Sequence, residues 1–265
     1  MPQRYDVSVV VPTYNERERL EDLVRQALAV LNGAGVRGEI VIVDDNSPDG
    51  TGRIADALAA NPAVKVVHRP GKLGLGSAVV EGFKVASADV LGVMDADLSH
   101  PPALLPHLLA ALDTLGVDIV IGSRYIPGGD CRNWPLRRRL LSRAGCLLAR
   151  PLTPVRDVTS GFFLVRRAAI AGAPVSAPGF KICLELLVRS HARSIAEVPY
   201  VFSDRAAGQS KMTFREALNY FVQLKDLYSL RWLRGGEKRV VRHVRLSPEA
   251  VGQLRGRARL ELGPR

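Results

Sequence analysis

The stretch LGVMDADLSHPP, residues 91–102, sets two carboxylates at the end of an apolar run. Asp95 and Asp97 are two residues apart, so in an extended chain both side chains point the same way. Like charges held side by side are costly unless something positive lies between them. Paired hard oxygen donors of this kind suit Mg²⁺ or Mn²⁺ shared with a diphosphate. A strand-end turn with two solvated aspartates is the competing reading, and the spacing alone does not decide between them.

The flanking sequence places the pair. DVSVVV (6–11), EIVIVDD (39–45), VKVVH (64–68), DVLGVM (89–94) and DIVIG (118–122) are β-branched runs. Helical spacing lies between them, at 18–31, 51–60, through Ala86 and at 102–115. This alternation predicts an α/β domain with a mostly parallel central sheet flanked by helices. The acidic pair follows the fourth strand, where ligands of open α/β sheets bind. After Gly122 the alternation loosens. IPGGDCRNWP (126–135) reads as loop, 136–149 as a basic amphipathic helix, 160–167 as a strand, 180–190 as a helix and 194–202 as a strand. Phe214, Leu218, Phe221 and Tyr228 form a helical stripe that reads as core packing.

The chain has 265 residues, 47% of them hydrophobic, enough for one full core with an appendage. The opening MPQRYDVSVVVPTYN runs straight into a strand and predicts no signal peptide. No stretch approaches the roughly 20 uninterrupted apolar residues of a spanning helix. Three cysteines without C-x-x-C spacing read as free thiols in a reducing compartment. The net charge is +11 and it is localised: residues 131–150 carry +6 and residues 231–265 carry +7. Such segments suit a membrane surface, phosphates or nucleic acid. Aromatics are only 6% and are not interleaved with the basic runs, which argues against nucleic acid.

Other motifs fall at the same predicted sheet edge. Asp44 and Asp45 end the second strand, where a carboxylate can accept hydrogen bonds from a ribose or base, and Asn46–Gly50 is turn chemistry. The loop GKLGLGSAVVEG (71–82) opens a helix but is neither a Walker loop nor a Rossmann fingerprint, since Val79 stands where the third glycine belongs. It reads as tight packing near the site. Pro12, Tyr14 and Glu16 follow the first strand; Tyr14 could stack on a base and Glu16 accept hydrogen bonds. The alternative there is a capping box with Asn15 as cap and Glu18 at its third position.

In order along the chain, VVVPTYNE, VIVDDNSPDGT, LGLG, MDADLSHPP, GSRY, DVTSGF and DRAAGQSKM resemble glycosyltransferase family 2. Within it, they resemble the dolichol-phosphate (polyprenol-phosphate) mannose synthases. The likeness covers roughly residues 5–230. It implies a GT-A fold over residues 1–230, with peripheral amphipathic helices in its C-terminal half; the charge and weak patterning of residues 231–265 make them a basic tail. It also implies inverting transfer from GDP-mannose to a dolichyl or polyprenyl monophosphate. By resemblance, Pro12, Tyr14, Glu16, Val43 and Asp45 surround the guanosine. Asp95, Ala96 and Asp97 hold the metal and diphosphate, and Arg124, Arg205 and Lys211 neutralise phosphates. Some members carry Gln where Ser99 stands as a further metal ligand; Ser99 is shorter, which leaves room for a water.

Many other family 2 enzymes carry a catalytic Asp near an ED and a later Q-x-x-R-W. Here KICLE and AGQSKM occupy those regions. That absence fits the chemistry, because a lipid phosphate has a second pKa of about 6 and needs no general base. On the 136–149 helix Arg138 and Ser142 lie at i and i+4 and so share a face. They could grip the acceptor phosphate together with Arg124, and Lys181 could approach the donor or the acceptor; internal packing is the competing reading of this helix. Leu140, Leu141, Leu147 and Leu148 would meet acyl chains, so the helix lies on a membrane. The expected setting is the cytoplasmic face of a membrane, reached through these helices or an integral membrane partner. The competing readings are a UDP-glucose-dependent polyprenyl-phosphate glucosyltransferase, a haloacid-dehalogenase-like phosphatase suggested by DADLS, and a nucleic-acid-binding module. In the phosphatase the first Asp follows the first strand; here it follows the fourth.

Overall fold

The computed structural model describes residues 5–175, 181–203, 214–233 and 242–261. Its strands are β1 (Val7–Thr13), β2 (Gly38–Asp44), β3 (Val64–His68), β4 (Val90–Val93), β5 (Ile119–Ser123), β6 (Asp130–Arg132), β7 (Phe163–Arg166), β8 (Ser194–Pro199), β9 (Val201–Ser203) and β10 (Arg242–Arg245). Eight of them form one sheet in the order β10-β8-β5-β7-β4-β1-β2-β3. All neighbours run parallel except β7, which is antiparallel to both β4 and β5. This is the α/β architecture expected, with β6 and β9 as a separate small pair.

The inner strands are apolar on both faces because helices cover both sides. Val9, Val10, Ile40, Val41, Leu91, Val120 and Leu164 are inaccessible or nearly so. The Leu20–Gly33 helix buries Leu20, Leu23, Val24, Ala27, Leu28 and Leu31, a 3.6-period stripe on one side of the sheet. On the other side the Leu75–Val85 helix approaches β1 so closely that a Cβ at Gly82 would lie 2.4 Å from Val10 Cγ1. Each fully buried Val, Leu or Phe contributes about 1.5–3 kcal/mol. A buried polar knot ties β2 to its surroundings. Glu39 accepts hydrogen bonds from Ser8 Oγ (2.5 Å), Ser87 N (2.8 Å) and Ser87 Oγ (2.9 Å) and pairs with Lys65 (2.9 Å).

Four local expectations are corrected. The 126–135 loop contains the short strand β6, which pairs with β9. The 194–202 strand divides at Tyr200, so β8 stays in the main sheet while β9 leaves it. In the Phe214–Tyr228 helix, Leu224 and Leu227 are buried but Leu218 and Phe221 are 53% and 56% exposed. Leu218 and Phe221 therefore face outward, because the packed face is the one carrying Gln223, Leu224 and Leu227, with Tyr228 half-buried against the core. Within the basic tail, β10 adds to the sheet edge beside β8, and Leu246, Val251 and Leu254 join the core. The Pro248–Glu261 helix follows it. His243 bonding to the buried Glu197 at 2.9 Å anchors this strand, a contact that local patterning does not reveal. Cys131, Cys146 and Cys183 are free and buried. Among the described residues no helix is long and apolar enough to cross a membrane.

Candidate active site

Parallel pairing brings the C-terminal ends of β1, β2, β4, β5 and β8 to one edge of the sheet. Because β7 is antiparallel, its N-terminal end arrives there too, carrying Gly161 and Phe162 up to the acidic pair. The edge therefore collects Asp44 at the end of β2 and Asp45 just after it, Asp95 and Asp97 after β4, and Arg124 after β5.

Asp95 is held through His100. The Asp95 backbone N–H donates to His100 Nδ1 at 3.1 Å, which leaves the ring proton on Nε2, 3.7 Å from Asp95 Oδ2. Burial lowers the His100 pKa from its ordinary value against the pull of Asp95 and Asp97, so the ring is neutral and acts as an acceptor for the backbone. It stacks on Phe162 at 5.1 Å and is flanked edge-on by Tyr200 and Phe202. Asp97 Oδ1 accepts from Ser99 N (3.0 Å) and Ser99 Oγ (2.5 Å), so Ser99 orients the second carboxylate. Leu98 between them takes φ 61°, the left-handed turn that lets the chain double back. Ala96 is buried beneath the pair.

This donor set suits a hard divalent cation. Both first-choice ligands are carboxylate oxygens, and a Cβ at Gly161 would sit 3.2 Å from both Asp95 oxygens and from His100 Cε1. Glycine there keeps the space beside the acids open. Among the described residues no group of three or more His, Cys, Asp or Glu is poised around an ion. Mg²⁺ is usually held by one or two carboxylates, with phosphates and waters completing the shell.

On the β2 side the two aspartates divide the work. Asp44 Oδ1 accepts from Thr13 Oγ1 (3.1 Å) and Ser47 Oγ (2.5 Å), and its Oδ2 from Ser47 N (3.1 Å). Asp45 pairs with Arg69 at 2.5 Å and accepts from the N–H groups of Leu73 (3.1 Å) and Gly74 (3.2 Å). Arg69 in turn reaches Ser77 and Glu81. Asp45 thus fixes the glycine loop against the edge. Val43 is fully buried, and Pro12 lies at the end of β1. Tyr14 is 37% exposed with Lys72 Nζ 4.1 Å over its ring. The capping-box alternative does not form: the helix starts at Leu20, Asn15 is left-handed, and its N–H donates to Ser47 Oγ. Glu16 lies in this turn, its N–H on Thr51 Oγ1.

Arg124 is buried and gripped at two points by Asp157, Nε to Oδ2 and Nη2 to Oδ1, each 2.7 Å. Nη2 also reaches Thr159 Oγ1 at 2.9 Å, and the guanidinium lies 5.3–5.6 Å from the rings of Tyr125, Trp134 and Phe202. Burial alone would raise the Asp157 carboxyl; the Arg124 charge and hydrogen bonds outweigh it and hold the carboxyl below its usual range. Asp157 belongs to the DVTSGF motif, but a sequence does not say which arginine it faces. On the Leu136–Leu148 helix, Arg138 stacks 3.9 Å over Trp134 and Ser142 Oγ accepts from Tyr125 OH at 2.7 Å. The helix buries only Cys146, and Leu136, Leu140, Leu141, Leu147 and Leu148 are 45–71% exposed. The Phe214–Tyr228 helix lies against it through Tyr220 OH on Gly145 O (2.7 Å) and Tyr228 OH on Leu148 O (2.6 Å). Lys181 opens the helix that starts at Ile182. Burial, then the Arg124 charge, lowers its ammonium, and Asp95 opposes them. Arg205 and Lys211 lie outside the described residues.

The model of the family described as glycosyl transferase family 2 matches residues 8–172. The chain belongs to glycosyl transferase family 2. It is 42% identical over 240 residues to the dolichol-phosphate mannosyltransferase of Pyrococcus furiosus, covering 89% of this chain and 66% of that enzyme. It is 43% identical over 225 residues to the polyprenol monophosphomannose synthase of Mycolicibacterium smegmatis, covering 79% of this chain and 83% of the other. Among solved structures, glucosyl-3-phosphoglycerate synthase from Mycobacterium tuberculosis, in complex with Mn²⁺, UDP and glucosyl-3-phosphoglycerate, superposes with a TM-score of 0.62. That match has 25% identity and covers 86% of this chain and 80% of that one. The fold is thus GT-A-like, and the chain is a family 2 glycosyltransferase.

Proposed function

We propose that this enzyme transfers mannose from GDP-mannose to dolichyl or polyprenyl monophosphate, with inversion, on the cytoplasmic face of a membrane. The observation that carries the reading is the juxtaposition of two environments. An oriented acid pair after β4 shares the sheet edge with Arg124 after β5, and from there the chain leads into a helix whose leucines face outward. The names of the relatives above agree with it, and the exposed leucines suit a lipid-borne acceptor.

In this reading Pro12, Tyr14, Glu16, Val43 and Asp45 form the guanosine end, with Asp45 keeping the glycine loop in place. Asp95 and Asp97, with Ser99 beside them, would hold Mg²⁺ or Mn²⁺, which as a Lewis acid stabilises the departing diphosphate. Arg124, Arg205 and Lys211 balance phosphate charge. Arg138, Ser142 and Lys181 set the acceptor phosphate so that its oxygen attacks C1 of mannose from the face opposite the leaving group. The acceptor arrives ionised, so the residues here orient and neutralise and need not remove a proton. The Leu136–Leu148 and Phe214–Tyr228 helices present an apolar surface for peripheral membrane attachment, alone or with an integral partner.

The test is incubation of purified protein with Mn²⁺ or Mg²⁺, polyprenyl phosphate and either GDP-mannose or UDP-glucose. Mannolipid from GDP-mannose supports the reading. A glucolipid from UDP-glucose alone would assign the donor differently, a choice the UDP-bound structural relative makes worth including.

A further inference from the structure

A second concavity lies between the Leu136–Leu148 helix, the turn after it and the loop after β5. Its volume is about 320 Å³, and its walls include Arg124, Tyr125, Arg143, Leu147, Arg150 and Arg156. No carboxylate lines it, and neither Arg138 nor Ser142 takes part. Four arginines around one cavity repel one another unless something negative is supplied. Arg124 is already answered by Asp157. Among the described residues, no carboxylate lies within ion-pair distance of Arg143, Arg150 or Arg156. Glu197, behind the Arg156 backbone, is fully buried. Its oxygens accept from Ser123, His243 and the N–H groups of Arg156 and Asp157.

Of the three arginines without a carboxylate, Arg150 is held by the fold, and Arg143 and Arg156 lie exposed around it. Arg150 Nη1 donates to Pro154 O at 2.8 Å, which holds its guanidinium across the turn. Burial, with the Arg156 and Arg245 charges next to it, lowers the Arg150 pKa from its ordinary value. An anion in the cavity would relieve that repulsion. One wall is Leu147, 69% exposed and continuous with Leu148 on the apolar face of the helix. The cavity therefore joins a cationic interior to an apolar rim.

We propose that this pocket is a phosphate-ester site, with Arg143, Arg150 and Arg156 as its ligands, lying beside the acceptor position and sharing Arg124 with it as a wall. The apolar rim at Leu147 favours a phosphate carried on a lipid over a free one. Only that choice of source rests on the membrane-facing reading of the helix; the anion site stands on the arginines alone.

The experiment uses the full chain without sugar nucleotide, so a failure of the transfer reading leaves its result unchanged. Binding is measured to vesicles of phosphatidylcholine, to vesicles of phosphatidylcholine with phosphatidylglycerol, and to inorganic phosphate by calorimetry. The wild type should prefer the phosphatidylglycerol vesicles. Loss of one charge-assisted contact in Arg156→Gln should weaken that binding roughly tenfold. Arg137→Gln, an exposed residue of the same helix outside the cavity, should change it by less than about threefold. Arg143→Gln, whose side chain is also exposed, should repeat the Arg156→Gln result and covers the case in which that variant folds poorly. Phosphate binding that is lost in Arg156→Gln, without any preference among vesicles, keeps the site and assigns it to a free phosphate ester. Equal losses in Arg156→Gln and Arg137→Gln would mean diffuse surface attraction and overturn the proposal. So would wild-type affinity in both pocket variants.

Discussion

Leu91 and Leu140 are the same residue type held in opposite ways. Leu91 sits in β4 with no accessible surface, between strands that fix the loop carrying Asp95 and Asp97. Leu140 is 58% exposed on a helix that buries almost nothing of its own. At the sheet edge, Asp44, Asp45 and Asp157 each accept two or more hydrogen bonds, and Asp97 accepts two from Ser99. At the helix pair, apolar side chains face outward and tyrosine hydroxyls do the joining. A soluble charged donor needs groups that are already oriented when it arrives. A long lipid needs a surface that it can slide across. Under the proposed function, the two halves would answer these different demands.

The largest expected effect lies where the halves meet. Asp157→Ala leaves Arg124 buried without its partner, and losses of this kind cost about 3–5 kcal/mol. Urea unfolding should show that loss, and a wild-type midpoint would mean that the Arg124–Asp157 pair does not hold this junction. The same pair gives a pH dependence. A carboxyl whose native pKa is lowered contributes stability that is fully present above the usual carboxylate range and is lost as pH falls through the depressed native value. Stability should therefore decline below about pH 4, and less steeply in Asp157→Asn. An equal slope in both proteins would place the acid sensitivity elsewhere.

Next in size is Asp97→Ala. It should lower mannolipid formation by at least about 10²-fold, the scale seen when one preorganised electrostatic group is removed. Its melting temperature should stay near that of the wild type, since Asp97 bonds locally to Ser99. Turnover within a factor of about three of wild type would remove Asp97 from the metal-binding role.

Local rules made the first five strands and their helices legible, since β-branched runs and a 3.6 period need no distant partner. They also placed Asp95 and Asp97 at the correct edge. Three features depend on pairing across long sequence separations and were not readable. β7 inserts antiparallel between β4 and β5, which brings Gly161 to Asp95. His100 sits within the quoted DLSHPP, yet only the tertiary stack on Phe162 makes it the residue that holds Asp95. RHVR at 242–245 reads as a charged tail until Glu197, 46 residues before His243, supplies its partner. The signal available in the sequence for these was motif membership, which names a residue without giving its contact.

The smallest structural effect should come from the other half of the comparison. Leu91→Ala removes buried atoms from β4 and should cost about 2–5 kcal/mol. Leu140→Ala, chemically the same change, should shift stability by no more than about 0.5 kcal/mol, because its side chain already meets solvent. Its effect should appear on vesicles. Burying a leucine side chain in the interfacial region contributes at most about 1.5–3 kcal/mol, and alanine keeps part of that, so vesicle affinity should fall by a few-fold up to about tenfold. Co-sedimentation with phosphatidylcholine vesicles measures it, with urea unfolding of the same preparation as the stability reference. Unchanged co-sedimentation would show that Leu140 does not enter lipid. A stability loss as large as that of Leu91→Ala would show instead that the helix is packed against protein, and the contrast between the two halves would disappear.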